Sequence, residues 1–394
     1  MRENMKAQVK HPDRDAAITA LTHAANVWTS DEPIGLRWRR VAGLHATVAL
    51  AHLVHAGVAL PLVDFVDALH GPIARLLPAS LREECDEALL IEEGTLSATA
   101  ADLLMEHLAP SLSPSDIAGW SLAALSAEKV QGWLYGHLLS TGTQDGYCRA
   151  RETVIKYASG KTHVVVDAVK DAGLPREGLF EAIPAWAWVS HEGERYWYGC
   201  PICRYPMRVQ VNKLACMYLP HEKATGRIPV RLARGRIPGV GNWNQQRSLA
   251  LGGSNEVTVA TVDRHACLVR PVWRYSTIPG CEELRLRDLL QALEGVDVQM
   301  WPHTDRYDLH VSADGLRRSW HIDVKDYADP ARLATELLRR NVLNDPKLLI
   351  VVPDYRARHV RLLNERLRRE LGNGRKYAMH TSEFVAQVRK AVGV

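Results

Sequence analysis

Three stretches decide the fold of this chain: EELRLRDLLQALEGVDVQMW (282–301), YDLHVSADG (307–315) and SWHIDVKDYADP (319–330). The first spaces its leucines as a helix does and, after Gly295, switches to the two-residue period of a strand. The other two alternate apolar and polar residues, and Ala313-Asp314-Gly315 between them predicts the turn of a hairpin. Asp308 opens one strand of that hairpin. Asp323 and Lys325 lie in the next and share a face, because side chains along a strand repeat every second residue. The spacing D-x14-D-x-K leaves room for a strand, a turn and a return, so the two aspartates are expected side by side. On the preceding helix Glu283 shares a face with Leu286, Leu290 and Leu293 and is expected to point inward, with Glu282 the competing choice.

That pattern carries chemistry. Neighbouring carboxylates repel unless a hard cation lies between them, and Mg²⁺ takes one or two carboxylates together with water and phosphate oxygens. Asp308 and Asp323 would hold Mg²⁺ or Mn²⁺, and Lys325 beside the ion would orient or deprotonate the attacking water. The chemistry expected is phosphodiester hydrolysis. Against it stands the plain alternative that Asp308, Asp323 and Lys325 are salt-bridged strand residues.

Outward from this core, PARLATELLRRNV, KLLIVVP, RHVRLLNERLRREL, KYAMHT and SEFVAQVRKAV read as helix, strand, helix, strand and helix. Residues 278–394 are therefore expected to form a self-contained α/β domain with a central mixed sheet. Residues 14–140 run in helical period, so 1–184 is expected to be all helical. Within it VVVDAVKDAGLPREGLFEAI predicts a helical hairpin through Val169, Gly173 and Leu179. The uncharged run Val41–Val63 has the length of a membrane span, but His45, His52, His55 and Pro61 argue for a buried helix followed by a break. The three histidines share one face without a Cys or acidic partner, which favours hydrogen-bonded packing over a metal site.

Tryptophans, tyrosines and alternation begin near Ala185, which sets a middle domain at 185–277. It contains Cys200-Pro-Ile-Cys203, Cys216 and His221, spaced C-x2-C-x12-C-x4-H. Two thiolates on a tight turn and two more ligands after a hairpin suit tetrahedral Zn²⁺, here structural; His191 is a reserve fourth ligand. No βαβ unit surrounds the CxxC, which argues against a redox role. EVTVATVDRHACLVRPVWRY reads as β structure. The fold class expected is thus multidomain α+β: helical domain, small zinc-knuckle β domain, and α/β domain.

With 394 residues, 46% hydrophobic and 24% charged, the chain is an ordinary globular protein of two or three domains, neither disordered nor fibrous. The net charge of +4 hides an asymmetry: residues 191–280 carry 13 Lys and Arg against 5 Asp and Glu, whereas 1–190 carry 16 against 23. A polyanion is the partner this basic segment suggests. Arg204, Arg208, Arg231, Arg234, Arg236 and Arg247 are the candidate phosphate contacts, joined by Lys213, Lys223 and Arg227, and Trp243 could stack on a base. Gly235, Gly239 and Gly241 lack the Lys-Ser/Thr of a nucleotide-binding loop. Seven cysteines, four of them scattered, read as intracellular thiols. The polar start MRENMKAQVKHPDRD offers no apolar leader, so a cytoplasmic, membrane-free protein is expected.

The order of a helix with Glu283, then Asp308, then Asp323-Val324-Lys325 and a helix resembles the PD-(D/E)XK nuclease superfamily, and 282–301 is similar to the first helix and strand of Mrr-like restriction endonucleases. The resemblance covers about 278–394. It implies a metal-dependent DNA endonuclease core, with Asp308 and Asp323 as metal ligands, Lys325 as catalytic lysine and Glu283 as the helix glutamate. One departure is that Arg306-Tyr307, not Pro or Gly, precedes Asp308. The whole arrangement, with IDVKDYADP, is also similar to restriction-endonuclease-related proteins of prokaryotic PIWI and helicase (pPIWI-RE) defence islands. This implies DNA as substrate, and an Argonaute-like or PIWI-like protein and a helicase as partners. A homodimer would suit double-strand cleavage, since one site cuts one strand. Two alternatives stay open: a non-catalytic nucleic-acid-binding or scaffold subunit with a nuclease-like fold, and a nuclease for RNA or branched DNA.

Overall fold

The structure is a computed structural model that describes residues 13–83, 87–92, 94–108, 122–313 and 319–393. Cys85 and the expected turn at Asp314-Gly315 lie outside the described residues. By its contacts the chain forms two compact units, Met1–Trp120 with Tyr327–Arg339, and Ser121–Asp326 with Arg340–Val394. The sequence boundaries at 184 and 277 both fall inside the second unit, where one apolar core draws on residues from Leu134 to Trp301.

The first unit is built on helices Arg14–Trp28, Ile34–Ala56, Leu62–Ala68 and Ala98–Leu108. Asp13 caps the first by accepting the Ala16 N–H at 2.9 Å, which satisfies one of the donors a helix start leaves open. The second helix ends at Gly57, whose φ of +73° is strained for any residue with a Cβ. Each histidine on this helix has its own partner: His45 the Leu60 carbonyl (2.5 Å), His52 the Leu76 carbonyl (3.1 Å), His55 the Ser80 hydroxyl (3.3 Å). No described helix is long and apolar enough to cross a membrane.

A helix that sequence reading assigned to a self-contained C-terminal domain also belongs to this unit. In Pro330–Arg340 the buried Ala331, Leu333, Ala334 and Leu337 make the apolar face, and Ala328 just before them joins the core of Ile18, Leu21, Phe65 and Leu103. Polar contacts tie it there: Asp329 to Arg14, Arg332 to Asp15 at 2.7 Å, and Glu106 to the N–H of Ala328 at 2.7 Å. Periodicity marks a helix and its apolar face but cannot say against which partner that face packs.

The second unit begins with helices Leu122–Ser140, Gln144–Lys156 and Thr162–Asp171. The expected second helix of a hairpin after Gly173 does not form. Residues Phe180–Ala182 are instead a strand paired with His265–Leu268, and that strand also pairs with Ser159–Lys161. Beyond it Arg270–Thr277, expected as β structure, is helical, with Pro271 in the first turn, where its missing N–H costs nothing.

The C-terminal sheet is mixed, in the order Val296–Met300, Leu309–Ala313, Ser319–Val324, Leu348–Val352, Ala378–His380. Its first two pairings are antiparallel and its last two parallel. Leu309 and Val311, then Trp320, Ile322 and Val324, point to one face, where helices Ile278–Gln291 and Thr381–Val392 cover them with Leu286, Leu290, Phe384 and Val388. Leu348–Val352 is buried throughout, as expected of a strand flanked by parallel neighbours or covered on both sides. The polar residues of the hairpin, Asp308, His310, His321 and Asp323, are thereby left to the other face.

Candidate active site and metal centre

The hairpin register pairs Leu309 with Ile322 and His310 with His321, so continuing it by one residue sets Asp308 opposite Asp323. Asp308 is buried and accepts the backbone N–H of Val324 at 2.6 Å through Oδ2. Lys325 joins the two aspartates: its Nζ is hydrogen bonded to Asp323 Oδ1 and lies 4.0 Å from Asp308 Oδ2. The backbone N–H of Lys325 donates to Val351 O at 2.9 Å, which anchors the end of the motif strand to its parallel neighbour.

Glu283 reaches the same place from the buried face of its helix. It accepts from Arg151 at 2.8 and 2.9 Å and from the Trp301 indole N–H at 2.6 Å. Arg151 lies over the Trp301 ring, 4.9 Å from its centroid, and also pairs with Asp305 at 2.5 Å and Asp308 at 3.5 Å. Glu282 points elsewhere and pairs with Arg285 at 3.1 Å. The four residues singled out from the sequence, Glu283, Asp308, Asp323 and Lys325, are therefore assembled through two basic side chains.

Arg151, Trp301 and Asp305 were not anticipated. Arg151 comes from helix Gln144–Lys156, 157 residues before Asp308, and nothing in its local sequence marks it. Trp301 and Asp305 bound a short segment in which Trp301, His303, Thr304 and Asp305 all have positive φ, a conformation that costs on the order of 1–3 kcal/mol per residue. Backbone strain of that kind has no periodicity signal.

Electrostatics make this a site that calls for positive charge. Burial, then repulsion from Glu283, pushes the Asp308 carboxyl well above the usual carboxylate range. Burial raises Glu283 too, against the pull of Arg151. The donor set, two opposed carboxylates of which Asp308 is buried and Asp323 partly exposed, fits a hard dication. Its chemistry fits better than its closure: Cys200, Cys203, Cys216 and His221 form the one group of three or more metal-ligating residues with mutually close donor atoms among the described residues.

In that second cluster all four side chains are buried and their ligand atoms lie within 4.8 Å of one another. Cys216 Sγ is 3.8 Å from both Cys203 Sγ and His221 Nδ1. The CxxC turn closes through Cys200 N–H to Tyr205 O and Arg204 N–H to Cys200 O, both 2.8 Å, with Arg204 at φ +60°. His221 sits on helix Leu219–Thr225, and the reserve ligand His191 is instead bonded to Ala233 O at 3.0 Å. Burial drives the Cys203 and Cys216 thiols well above their usual range; Cys200, equally buried, is held well below it by hydrogen bonds from Cys203, Cys216 and His221. Three thiols and an imidazole buried this close together are the ligand types a tetrahedral dication takes, and the set fits Zn²⁺.

Of the candidate nucleic-acid contacts, Arg204, Arg231, Arg234, Arg236 and Arg247 are exposed. Arg208 is half-buried, and Arg204 donates to Lys156 O at 2.9 Å. Trp243 is half-buried against the core, which leaves only part of its ring for stacking.

Residues 280–394 match the model of a family described as REase associating with pPIWI_RE. Comparison with curated proteins and with solved structures finds no match. The match spans the helix of Glu283 and the strands of Asp308, Asp323 and Lys325, so this part of the chain is similar to the restriction-endonuclease-related family associated with pPIWI-RE.

Proposed function

We propose that the protein is a Mg²⁺-dependent endodeoxyribonuclease of prokaryotic defence, with Asp308 and Asp323 as metal ligands and Lys325 as the catalytic lysine. The observation that carries this reading is the meeting of Asp308, Asp323 and Lys325 at the end of one hairpin, inside the family match. When bound, Mg²⁺ (or Mn²⁺) would polarise the phosphate and acidify water. Asp308, fixed by the Val324 N–H, presents a carboxylate whose direction the backbone sets. Lys325, whose Nζ lies beside Asp323 and Asp308, would orient water and offset charge developing on a phosphoryl oxygen. Arg151 pairs with both Glu283 and Asp308, which offsets part of the repulsion between them.

The Cys200, Cys203, Cys216 and His221 set would hold Zn²⁺ as a structural ion, and the exposed arginines 231, 234, 236 and 247 would meet the DNA backbone. A PIWI-like partner is the one the family description points to; a helicase partner, a homodimer and a cytoplasmic location complete the reading. The second reading, a non-catalytic DNA-binding scaffold subunit, draws on Arg151 and Lys325, which pair with these carboxylates as strand and helix residues do in a purely structural ion-pair network.

Plasmid cleavage by wild type, Asp323→Ala and Lys325→Ala with Mg²⁺, Mn²⁺ or EDTA decides between them. Metal-dependent cutting by wild type, reduced at least about 100-fold in both folded variants, is the expected outcome. Undiminished cutting in the variants would sink the nuclease assignment, and DNA binding without cutting in all three would establish the scaffold.

A further inference from the structure

Tyr218 lies between the two clusters. It sits two residues after Cys216 and three before His221, and three contacts fasten it to the Cys/His centre. Its N–H donates to Cys216 Sγ at 3.4 Å, its carbonyl accepts the His221 N–H at 3.0 Å, and its ring meets the His221 ring edge-on at 4.9 Å. From there its hydroxyl donates to Asp326 Oδ2. Asp326 follows Lys325 directly and is itself buried. Tyr355 OH at 2.8 Å and Arg356 Nε at 3.0 Å also donate to Asp326, and Arg274 lies 5.2 Å over the Tyr218 ring.

We propose that Tyr218 and Asp326 are positioning residues through which the Cys200/Cys203/Cys216/His221 centre fixes Lys325. The metal centre is then more than a staple for a small β domain: its order is passed, by one buried phenol-carboxylate bond, to the end of the motif strand. Lys325 is held on its N-terminal side by the sheet, through its own N–H to Val351. Immediately after it the chain leaves the sheet, and Asp326 is the next point of attachment. A lysine side chain is long and rotamer-rich, so its ammonium stays near Asp308 and Asp323 only if the backbone on both sides is fixed.

This rests on the nuclease reading for its consequence in catalysis, but the coupling can be read without activity. Tyr218→Phe removes one hydroxyl and keeps the ring that packs on His221. In the full chain, with zinc content measured on the same preparation, amide hydrogen exchange at Lys325 and Asp326 should quicken about tenfold, as loss of a hydrogen bond to a buried charge implies. Exchange at Ile350 and Val351 of the neighbouring strand should not change, which separates local release from general destabilisation. Asp326→Asn should behave alike, and the double variant should add little to either single one. Cleavage by Tyr218→Phe should show kcat reduced about tenfold with KM for DNA unchanged.

Zinc retained with wild-type exchange at Lys325 and Asp326 would overturn the proposal, as would faster exchange spread evenly over both strands. If exchange responds as expected while wild type cuts no DNA, the coupling stands and the nuclease reading falls.

Discussion

The Cys/His centre and the carboxylate site solve opposite charge problems by opposite routes. The first collects all its ligands from residues 200–221 and includes no Lys or Arg among them, so its charge waits on an ion. The second gathers Arg151, Glu283, Trp301, Asp305, Asp308, Asp323 and Lys325 from distant segments, and two of these are cations that pair with its acids. A site that carries its own counter-charge can lose and regain a metal without unfolding. One that does not is tied to its metal for folding. On the proposed reading, an ion at the Cys/His centre would serve structure and one at the carboxylates would serve turnover.

The largest effect that would break this comparison is a thiol substitution. Cys203→Ser should abolish zinc binding and lower stability by more than about 4 kcal/mol, seen as a collapse of the thermal midpoint, whereas Asp323→Ala should leave the midpoint near wild type. Equal midpoints for both proteins would contradict the division of roles. Next comes Arg151→Met, which leaves Glu283, Asp305 and Asp308 without their shared cation. It should cost about 3–5 kcal/mol near neutral pH, the penalty for stranding buried charge, and added Mg²⁺ should restore part of it. Denaturant melts with and without Mg²⁺ measure both, and a melt that ignores Mg²⁺ would count against a cation site there.

The smallest effect lies between the two clusters. Glu282 is buried, and burial raises its carboxyl from 4.5 to about 7 against the pull of Arg285. A carboxyl whose folded value is raised binds its proton more tightly in the folded state. Its contribution is therefore present below pH 4.5 and is lost as pH rises through about 7. Glu282→Gln should flatten the stability profile across that window and leave it unchanged at pH 4, at a scale of about 1–3 kcal/mol; stability measured at pH 4, 6 and 8 tests it. A profile as steep as wild type would mean that another group carries the slope.

Much of this was legible in the sequence where the signal is local. The two-residue period of 309–313 and 319–324, the unbroken apolar run 348–352 and the leucines of 282–293 predicted the sheet and its covering helix, because each pattern is set by the element's own surroundings. The spacing of Cys200, Cys203, Cys216 and His221 was readable for the same reason. What failed was long-range. Leu179–Ala182 could follow a helix in its own sequence, but Phe180–Ala182 pairs with His265–Leu268, 86 or so residues away. Arg151 contributes to the carboxylate site from 132 residues before Glu283, and a single arginine on a helix of mixed polarity gives no sign of it. Glu283 over Glu282 could be inferred from the leucine face, and the structure sends only Glu283 to Asp308.

The helix Pro330–Arg340 also has a consequence in time. It completes the unit formed by residues 1–120, yet it is synthesised about 210 residues later. At roughly 5–20 residues per second a ribosome takes on the order of 10–40 s to cover that distance. During this interval the N-terminal helices lack Ala328 in their core and the Arg14 and Asp15 side chains lack their ion-pair partners. The first unit to be started thus waits on a helix made after most of the second, and the motif strand must already have emerged before it can be completed.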